Sequence, residues 1–362
     1  MLPTVSVLVL NHNGRDHLEH CFRSLLALDY PADLLELVLV DSASSDESAA
    51  WTRRRFPSVR IIRHTQNWGR CRSYNLAIAQ VATDIIVLLN SNTRLVPDTL
   101  IELVKPFADG QEIAAVGARM LDWDGKLLHF DPAEMIARRD RMASNSYDAD
   151  THSQARHLPF VCSKAMAARR DVFVASGGFD EDFFTHYEDV DLCWRLWVLG
   201  HKVWFAPRAI VYYRQNDNWD AVTEAKRQAL CERNALLSVI KNCEEQNLWR
   251  VLPAALFLLL KQTYLLSGVD PVHYHVEQII ELTSHGHSEK VPQQVASLLL
   301  AASDAVTLLP RIMEKRRYIQ ARRRRPDAEI PSPLRVLLKS SHTTPEYADT
   351  RQELARIFGL AE

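Results

Sequence analysis

The sequence predicts an α/β protein in which a doubly wound, mainly parallel sheet is followed by a helical C-terminal region. Short runs rich in β-branched residues and leucine alternate with segments of helical spacing, and this alternation predicts the sheet. Polar residues end each run, as expected at strand ends. Beyond about residue 222 only helical spacing occurs, which predicts the C-terminal region.

Four strands are predicted in order from continuous apolar runs. A strand that is apolar on both faces belongs in the middle of a sheet covered by helices. A helix is predicted after each strand, and the polar stretch 42–47 supplies N-cap chemistry for the second of them. Pro97 suits the start of the helix after the fourth strand. The four runs cover residues 5–10, 35–40, 59–62 and 85–89.

Polar residues follow these strands at the edge where doubly wound sheets bind ligands. Loops are polar in any protein, but Asp41 follows a fully apolar strand directly, and this favours a binding edge. Neither glycine-rich phosphate-binding signature follows the first strand, which disfavours a nicotinamide dehydrogenase or a P-loop enzyme. The polar residues at this edge are Asn11, Asn13, Asp41, Ser42, Asn67 and the stretch 90–92.

The composition is that of a soluble globular protein. Of the 362 residues, 47% are hydrophobic and 24% are charged, and the net charge of -2 predicts no nucleic-acid partner. The six cysteines have no metal-binding spacing, which indicates reduced thiols and a cytoplasmic location. A strand begins almost at once, so no signal peptide is expected. The apolar run 251–266 is short for a membrane span and predicts a buried or interfacial helix.

The stretch 183–195 is unusual because Glu188, Asp189 and Asp191 stand among aromatic residues. Burying such acids costs free energy, so they are expected to be paired or to take part in function. Burial also raises the pKa of a carboxyl group towards that of a general base. The residues alone leave two alternatives, a catalytic wall or a helix N-terminus whose acids complement the macrodipole. Asp191 and Arg195 are spaced i, i+4, and we expect them to pair.

Several short motifs stand in a fixed order along the chain. They include Asn11-His12-Asn13, Asp41-Ser42-Ala43-Ser44-Ser45-Asp46, Asn67-Trp68-Gly69-Arg70, Leu88-Leu89-Asn90, Gly177-Gly178-Phe179-Asp180, Glu188-Asp189-Val190-Asp191 and Glu232-Arg233-Asn234-Ala235. In this order they resemble the family 2 glycosyltransferases of the GT-A fold, a Rossmann-like nucleotide-diphospho-sugar transferase fold. The bacterial rhamnosyltransferase-like members are the most similar. The resemblance runs over roughly residues 3–245 and more faintly to about 325.

The resemblance implies an inverting transfer of a sugar from a dTDP-, UDP- or GDP-linked donor to a hydroxyl group. The acceptor would be a glycan, a lipid-linked molecule or a small molecule. Asp189 would be the general base, supported by Glu188, because displacement at the anomeric carbon needs a base on the acceptor side. The nucleotide-sugar-binding residues would be Asn11, Asn13, Asp41, Asn67, Arg70, Asn90 and Asn92. The acceptor or sugar pocket would include Gly178, Phe184, Tyr187 and Trp204.

The end of the fourth strand departs from the family pattern. Asn92 stands where the family has an aspartate that holds a divalent metal, Mn or Mg, and the strand 211–215 lacks a further histidine ligand. Hard cations prefer carboxylate ligands. Three explanations follow: a metal-independent enzyme, a weak metal site at Asn92, or a catalytically inactive binding subunit. In the first, the diphosphate would be stabilised by arginines such as Arg70, Arg72 or Arg214.

Three regions are predicted along the chain. Residues 1–220 form the GT-A catalytic domain, with an insert at 122–158 near the acceptor site. Residues 221–325 form a helical region, and residues 326–362 a loose tail with a short terminal helix. The basic end of the helical region predicts contact with an anionic membrane surface, with a solvated charged helix or a nucleic-acid patch as the alternatives. The basic residues are Arg311, Lys315, Arg316, Arg317 and Arg322 to Arg325.

Overall fold

A computed structural model of the chain describes residues 1–127, 154–214, 221–267, 292–331 and 344–360. Side chains are described in all of these ranges except at 221–224. Most of the predicted insert at 122–158 lies outside the described residues.

The first half of the sheet is parallel and follows the predicted alternation of strands and helices. Its strands lie in the order β3-β2-β1-β4, and every neighbouring pair is parallel. The strands β1, β2 and β4 are almost entirely buried, as their continuous apolar runs require. The elements are β1 (Val5–Asn11), α1 (Arg15–Leu26), β2 (Leu35–Asp41), α2 (Ser48–Arg55), β3 (Arg60–Arg63), α3 (Gly69–Ile78) and β4 (Ile85–Asn90).

The second half of the sheet mixes parallel and antiparallel strands. It continues from β4 in the order β8-β6-β9-β5, and β8 is antiparallel to both of its neighbours. The α/β prediction is confirmed, and the parallel arrangement is concentrated in the first half. The elements are β5 (Thr93–Leu95), α4 (Thr99–Asp109), β6 (Ile113–Leu121), β7 (Arg156–His157), β8 (Ala165–Arg169), α5 (Arg170–Ala175), α6 (Glu188–Val198) and β9 (Lys202–Tyr213).

Two hydrophobic cores cover the two faces of the sheet. Successive side chains of a strand point to opposite faces, so Val7 belongs to one core and its neighbour Leu8 to the other. The core that contains Leu8 also contains Trp194 of α6 and side chains of the C-terminal helices, such as Leu237 and Ile312. The helical region therefore shares a core with the sheet.

The C-terminal region is helical, as predicted. The helix α9 packs along α7 and also contacts α8. Within the described ranges, α9 is the one helix that is long and apolar enough to cross a membrane by length and composition, and 33% of its most apolar window is buried. The helices are α7 (Ala221–Asn242), α8 (Glu245–Ser267), α9 (Gln293–Gln320) and α10 (Pro345–Ile357).

A buried charge cluster joins α6 to the C-terminal helices. Lys241 donates to Asp180 at 2.5 Å and to Asp191 at 2.9 Å, and all three side chains are buried. Arg195 donates to Asp191 at 2.8 Å, which confirms the predicted pair. Lys315 of α9 contacts Asp180 from the other side. Burial by itself raises the pKa of Asp180, but Lys241 and Lys315 hold that pKa well below its usual range.

Much of the basic run at the end of α9 binds the protein itself. Arg316 is buried and donates to the backbone carbonyls of Ile240 and Cys243. Arg325 donates to two carbonyls in the turn between α6 and β9, at 2.8 and 2.9 Å. Lys315 belongs to the cluster just described. These contacts differ from the predicted lipid-facing surface, and contact with an anionic membrane stays a prediction.

The first prediction concerns Lys241. The substitution Lys241→Met removes the ammonium between Asp180 and Asp191 and leaves buried carboxylates without it. Breaking a buried pair in this way costs about 3–5 kcal/mol, so we expect a loss of that size in the free energy of unfolding measured with denaturant.

Lys105→Met is the matched control, because Lys105 is an exposed lysine paired with Glu102 on α4. We expect it to cost less than about 1 kcal/mol. Equal losses in the two variants would show that the buried cluster does not stabilise the fold.

Candidate active site

The carboxyl ends of the parallel strands bring the predicted polar residues together. In the register of the sheet, Asn11 lies beside Asp41, and Leu10 lies beside Asn90. The Asn11 amide donates to Asp41 at 3.4 Å and to Ser44 at 3.1 Å. Three strands thus end in polar side chains at one edge, as the sequence predicted.

The loops beside Asp41 are held by side-chain amides. The Asn13 carbonyl oxygen Oδ1 accepts from the backbone N–H of Ser45 at 2.8 Å. Asn67 Oδ1 accepts from Ser42 at 3.2 Å and from the N–H of Gly69 at 2.9 Å. Asn13 and Asn67 therefore shape the loops around the edge.

This edge of the sheet contains a buried carboxylate and a buried hydrogen-bond acceptor. The Asp41 carboxylate is fully buried and lies 3.4 Å from Arg63. Asn11 Oδ1 is buried and has no hydrogen-bond partner among the described residues. Buried polar atoms are normally satisfied, so this oxygen is suited to accept from a bound molecule.

Arg70 connects the sheet edge to the acidic stretch. Its guanidinium donates to Asn90 Oδ1 at 2.6 Å and forms an ion pair with Glu188 at 3.1 Å. The same Glu188 oxygen accepts from the Ser163 hydroxyl at 2.9 Å. Burial and the neighbouring Asp189 raise the pKa of Glu188, and Arg70 opposes them.

The three acids of the stretch occupy three different environments. Glu188 is 4% exposed and paired with Arg70, and Asp191 is 0% exposed within the Lys241 cluster. Asp189 is half-buried and is the acid of the three that reaches solvent. Its carboxylate accepts from the backbone N–H of Ser163 at 3.0 Å. All three acids lie in the first turn of α6, as the helix N-terminus alternative describes, and a catalytic role for this stretch stays a prediction.

The backbone before Glu188 adopts conformations that are rare for residues other than glycine. The φ angles are 63° at Phe184, 68° at His186 and 68° at Tyr187. Such strain persists only where surrounding contacts impose it, and it is common at functional sites. The Asn234 side-chain amide of α7 supplies such contacts, at 2.7–3.1 Å, to the carbonyl oxygens of Phe183, Thr185 and His186.

Gly69 provides a second support for this loop. Its φ is +74°, and a Cβ atom there would lie 2.5 Å from the carbonyl oxygen of Phe184. The backbone N–H of Cys71 donates to the same oxygen at 3.1 Å. A side chain at position 69 would therefore push the loop away from α3.

The predicted pocket residues divide into two groups. Phe184 is exposed and Tyr187 is buried in the strained loop directly before the acids, so both stay candidates. Gly178 lies in a turn behind them, where a Cβ atom would approach the Asn75 side chain to 2.6 Å. The Gly178 carbonyl accepts from buried Arg195 at 2.7 Å. These contacts support the turn, and a place for Gly178 in the pocket stays a prediction.

Trp204 lies at the opposite end of β9 from the polar edge. It pairs with His157 near the start of β9, and the two rings lie 4.6 Å apart. Tyr213, at the other end of β9, pairs with Thr93 beside the polar edge. In the register with β6, Trp204 lies opposite Val116 and Tyr212 lies opposite Leu121, so several residues of strand separate Trp204 from that edge, and its role in the pocket stays a prediction.

The residues around Asn92 do not form a metal site. The Asn92 amide donates to the carbonyl oxygen of Arg214 at 2.5 Å, and its side chain is also hydrogen-bonded to Tyr213. Within the part of the chain that the structure describes, no group of three or more histidine, cysteine or acidic side chains could hold a metal ion. The donors near Asn92 therefore do not fit a divalent cation.

Four residues of this site were not predicted from the sequence to belong to it. Asn234 was part of a motif without a role, and Tyr213 was noted as part of a strand without histidine. No role was predicted from the sequence for Ser163 or Lys164. The pairing of β4 with β8 could have singled out Lys164, because Leu89 lies opposite Ala165 and Asn90 is the next residue.

Solved structures with the same architecture are glycosyltransferases. The mannosyltransferase PcManGT from Pyrobaculum calidifontis, in complex with GDP-Man and Mn²⁺, aligns with a TM-score of 0.51 over 99% of this chain and 87% of its own. GalNAc-T7 with UDP, GalNAc and Mn²⁺ aligns with a TM-score of 0.55 over 71% and 51%. At 18% and 16% identity these likenesses establish the fold, which is the GT-A fold of nucleotide-sugar transferases.

The sequence comparisons identify the family. Residues 6–176 match the family model described as glycosyl transferase family 2. The chain is 24% identical over 249 residues to the N-acetylglucosaminyl-diphospho-decaprenol L-rhamnosyltransferase of Mycobacterium tuberculosis, covering 59% of this chain and 77% of that protein. Residues 6–176 form a glycosyl transferase family 2 region, and the chain is a glycosyltransferase, as its motifs predicted.

Other relatives are much longer than the matched region. The chain is 29% identical over 217 residues to the O-antigen biosynthesis protein RfbC of Myxococcus xanthus, and 56% of this chain covers 16% of that protein. It spans about a quarter (25%) of the uncharacterized protein y4gI of Sinorhizobium fredii, at 24% identity.

The second prediction concerns Asn234. The substitution Asn234→Ala removes the amide that holds three loop carbonyls, so the strained loop relaxes and Asp189 is displaced. A misplacement of about 1 Å at a catalytic group can cost about a hundredfold in rate. We expect kcat to fall by about that factor while nucleotide affinity stays the same, measured by steady-state kinetics and calorimetry.

Ser238→Ala is the matched control, because Ser238 lies one turn further along α7 and donates to the carbonyl of Asn234 within the same helix. We expect that variant to keep its kcat. If Asn234→Ala also kept its kcat, α7 would have no part in placing the acids.

Proposed function

We propose that this glycosyltransferase moves a sugar from a nucleotide-diphosphate sugar to an acceptor hydroxyl with inversion at the anomeric carbon. Asp189 is the general base. The observation that carries this proposal is the separation of the three acids. Glu188 and Asp191 are buried in ion pairs, whereas Asp189 is half-buried and held by the Ser163 N–H.

The proposed step is a single displacement. The acceptor oxygen attacks the anomeric carbon from the face opposite the diphosphate, while its proton passes to the Asp189 carboxylate. The bond between the anomeric carbon and the β-phosphate oxygen breaks, and the electron pair stays on that oxygen. One base on the acceptor side is sufficient for this chemistry. Arg70 pairs with Glu188 beside Asp189 and so compensates the neighbouring buried carboxylate.

The donor is proposed to bind along the edge formed by β1, β2 and β4. Asp41 and the buried Asn11 oxygen accept from the base or the ribose, and Asn13 and Asn67 shape the surrounding loops. The solved structures of similar fold support a nucleotide-sugar donor, because they contain UDP or GDP-Man. We propose a dTDP-, UDP- or GDP-linked sugar for this chain.

The acceptor is proposed to be a glycan or a lipid-linked sugar. The names of several relatives support this class. These relatives include an N-acetylglucosaminyl-diphospho-decaprenol L-rhamnosyltransferase, an O-antigen biosynthesis protein and a β-monoglucosyldiacylglycerol synthase. Apolar side chains on the outer faces of the helical region support a location at a membrane surface. Exposed examples are Trp249, Phe257 and Leu260 on α8 and Leu300 and Val306 on α9.

The third prediction tests the base. The substitution Asp189→Asn keeps the oxygen that accepts from Ser163 but cannot take a proton. A general base contributes about 10²–10⁴-fold, so we expect kcat for sugar transfer to fall by that factor. Calorimetric titration with the nucleoside diphosphate should give an unchanged Kd.

Asp171→Asn is the matched control, because Asp171 is an exposed acid in the first turn of α5. We expect full activity from it. Full activity in Asp189→Asn would overturn the assignment of the base. A wild-type protein that bound nucleotide sugars without turnover, in a stable complex with a second protein, would instead support the catalytically inactive binding subunit.

A further inference from the structure

Two side chains from distant parts of the chain meet over the turn that follows β4. Leu89 pairs with Ala165, so the register brings Lys164 opposite Asn90. Thr93 pairs with Tyr213 on the other side of the same turn. The Lys164 ammonium lies 4.6 Å from the centre of the Tyr213 ring. A cation therefore stands next to the turn at which family members hold their metal.

The surroundings of this ammonium oppose a divalent cation. Tyr213 is hydrogen-bonded to both Lys164 and Asn92, and the Asn92 amide nitrogen donates to the Arg214 carbonyl. A divalent ion bound at Asn92 would meet neutral ligands and a neighbouring positive charge. Such an arrangement is unfavourable for a hard cation, which prefers carboxylates.

Lys164 differs from the other cation at this edge in its charge environment. The Arg70 guanidinium is 3.1 Å from the Glu188 carboxylate, so its charge is largely balanced within the protein. Lys164 instead lies against the electron-rich face of the Tyr213 ring, which attracts an ammonium through its quadrupole. It is therefore the better placed of the two to respond to negative charge on a ligand.

We propose that the Lys164 ammonium, positioned by Tyr213, replaces the divalent metal and binds the β-phosphate of the nucleotide-sugar donor. This inference rests on the proposed sugar transfer. As the bond from the anomeric carbon to the β-phosphate oxygen breaks, the electron pair stays on that oxygen and its negative charge grows. The fixed ammonium stabilises this charge without giving up a proton. Lys164 is then a catalytic residue, and Tyr213 is a positioning residue.

The fourth prediction uses Lys164→Met in the full chain. The probe is whichever of dTDP, UDP or GDP raises the Tm of the wild type most, together with the matching nucleoside. We expect Lys164→Met to weaken diphosphate binding by roughly tenfold to a hundredfold, since hydrogen bonds to charged groups are lost. Nucleoside binding should be unchanged. Chelator or manganese should not alter the Kd of the wild type for the diphosphate.

Lys126→Met is the matched control, because Lys126 is an exposed lysine after β6, and we expect wild-type affinities from it. A second variant, Lys164→Met with Asn92→Asp, removes the ammonium and restores a carboxylate. In that variant manganese should strengthen diphosphate binding at least about tenfold, and it should do so in neither the wild type nor Lys164→Met.

Three results would overturn the proposal. The first is a wild type whose diphosphate affinity rises about tenfold with manganese. The second is an equal loss of nucleoside and diphosphate binding in Lys164→Met, which would give Lys164 a structural role. The third is a wild type that binds none of the three nucleoside diphosphates. Failure of the Asp189 assignment is distinguishable, because it changes transfer and leaves diphosphate binding as predicted.

Discussion

The buried ammonium of Lys241 is the interaction on which both the helical region and the acidic stretch depend. It stands between Asp180, just before the strained loop, and Asp191, just after the catalytic acids. Burying three charges costs free energy unless they are well aligned and their remaining donors and acceptors form hydrogen bonds. Arg195 and Lys315 supply those further contacts. The cluster thereby fixes both ends of the segment that carries Asp189.

Between these fixed ends, the loop has little freedom left. Asn234 holds its carbonyl groups, and Gly69 lets α3 approach its backbone closely. Asp189 emerges from this loop half-buried, with Glu188 behind it neutralised by Arg70. The same Arg70 contacts Asn90 at the end of β4, so one side chain links the acidic stretch to the polar edge of the sheet. In the proposed mechanism, the C-terminal helices would thus contribute to catalysis by holding the loop that precedes Asp189.

Local patterns in the sequence predicted the parts of this arrangement that depend on neighbouring residues. Apolar runs ending in Asn11 and Asp41 gave the sheet and its polar edge, and i, i+4 spacing predicted the pair of Asp191 with Arg195. Contacts between distant segments were not predictable in this way. Lys164 with Tyr213, and Asn234 with the strained loop, depend on how strands and helices pack. The internal partners of the basic run were unpredictable for the same reason, because they lie far away in the chain.

The central claim is that one base, Asp189, drives a single displacement of the nucleotide diphosphate. The most direct measurement is the anomeric configuration of the first-formed product, followed by proton NMR during turnover of the accepted donor. A single displacement predicts a product with the opposite configuration to the donor. A product that retained the configuration of the donor would contradict the account, since retention requires a second substitution or a front-face mechanism.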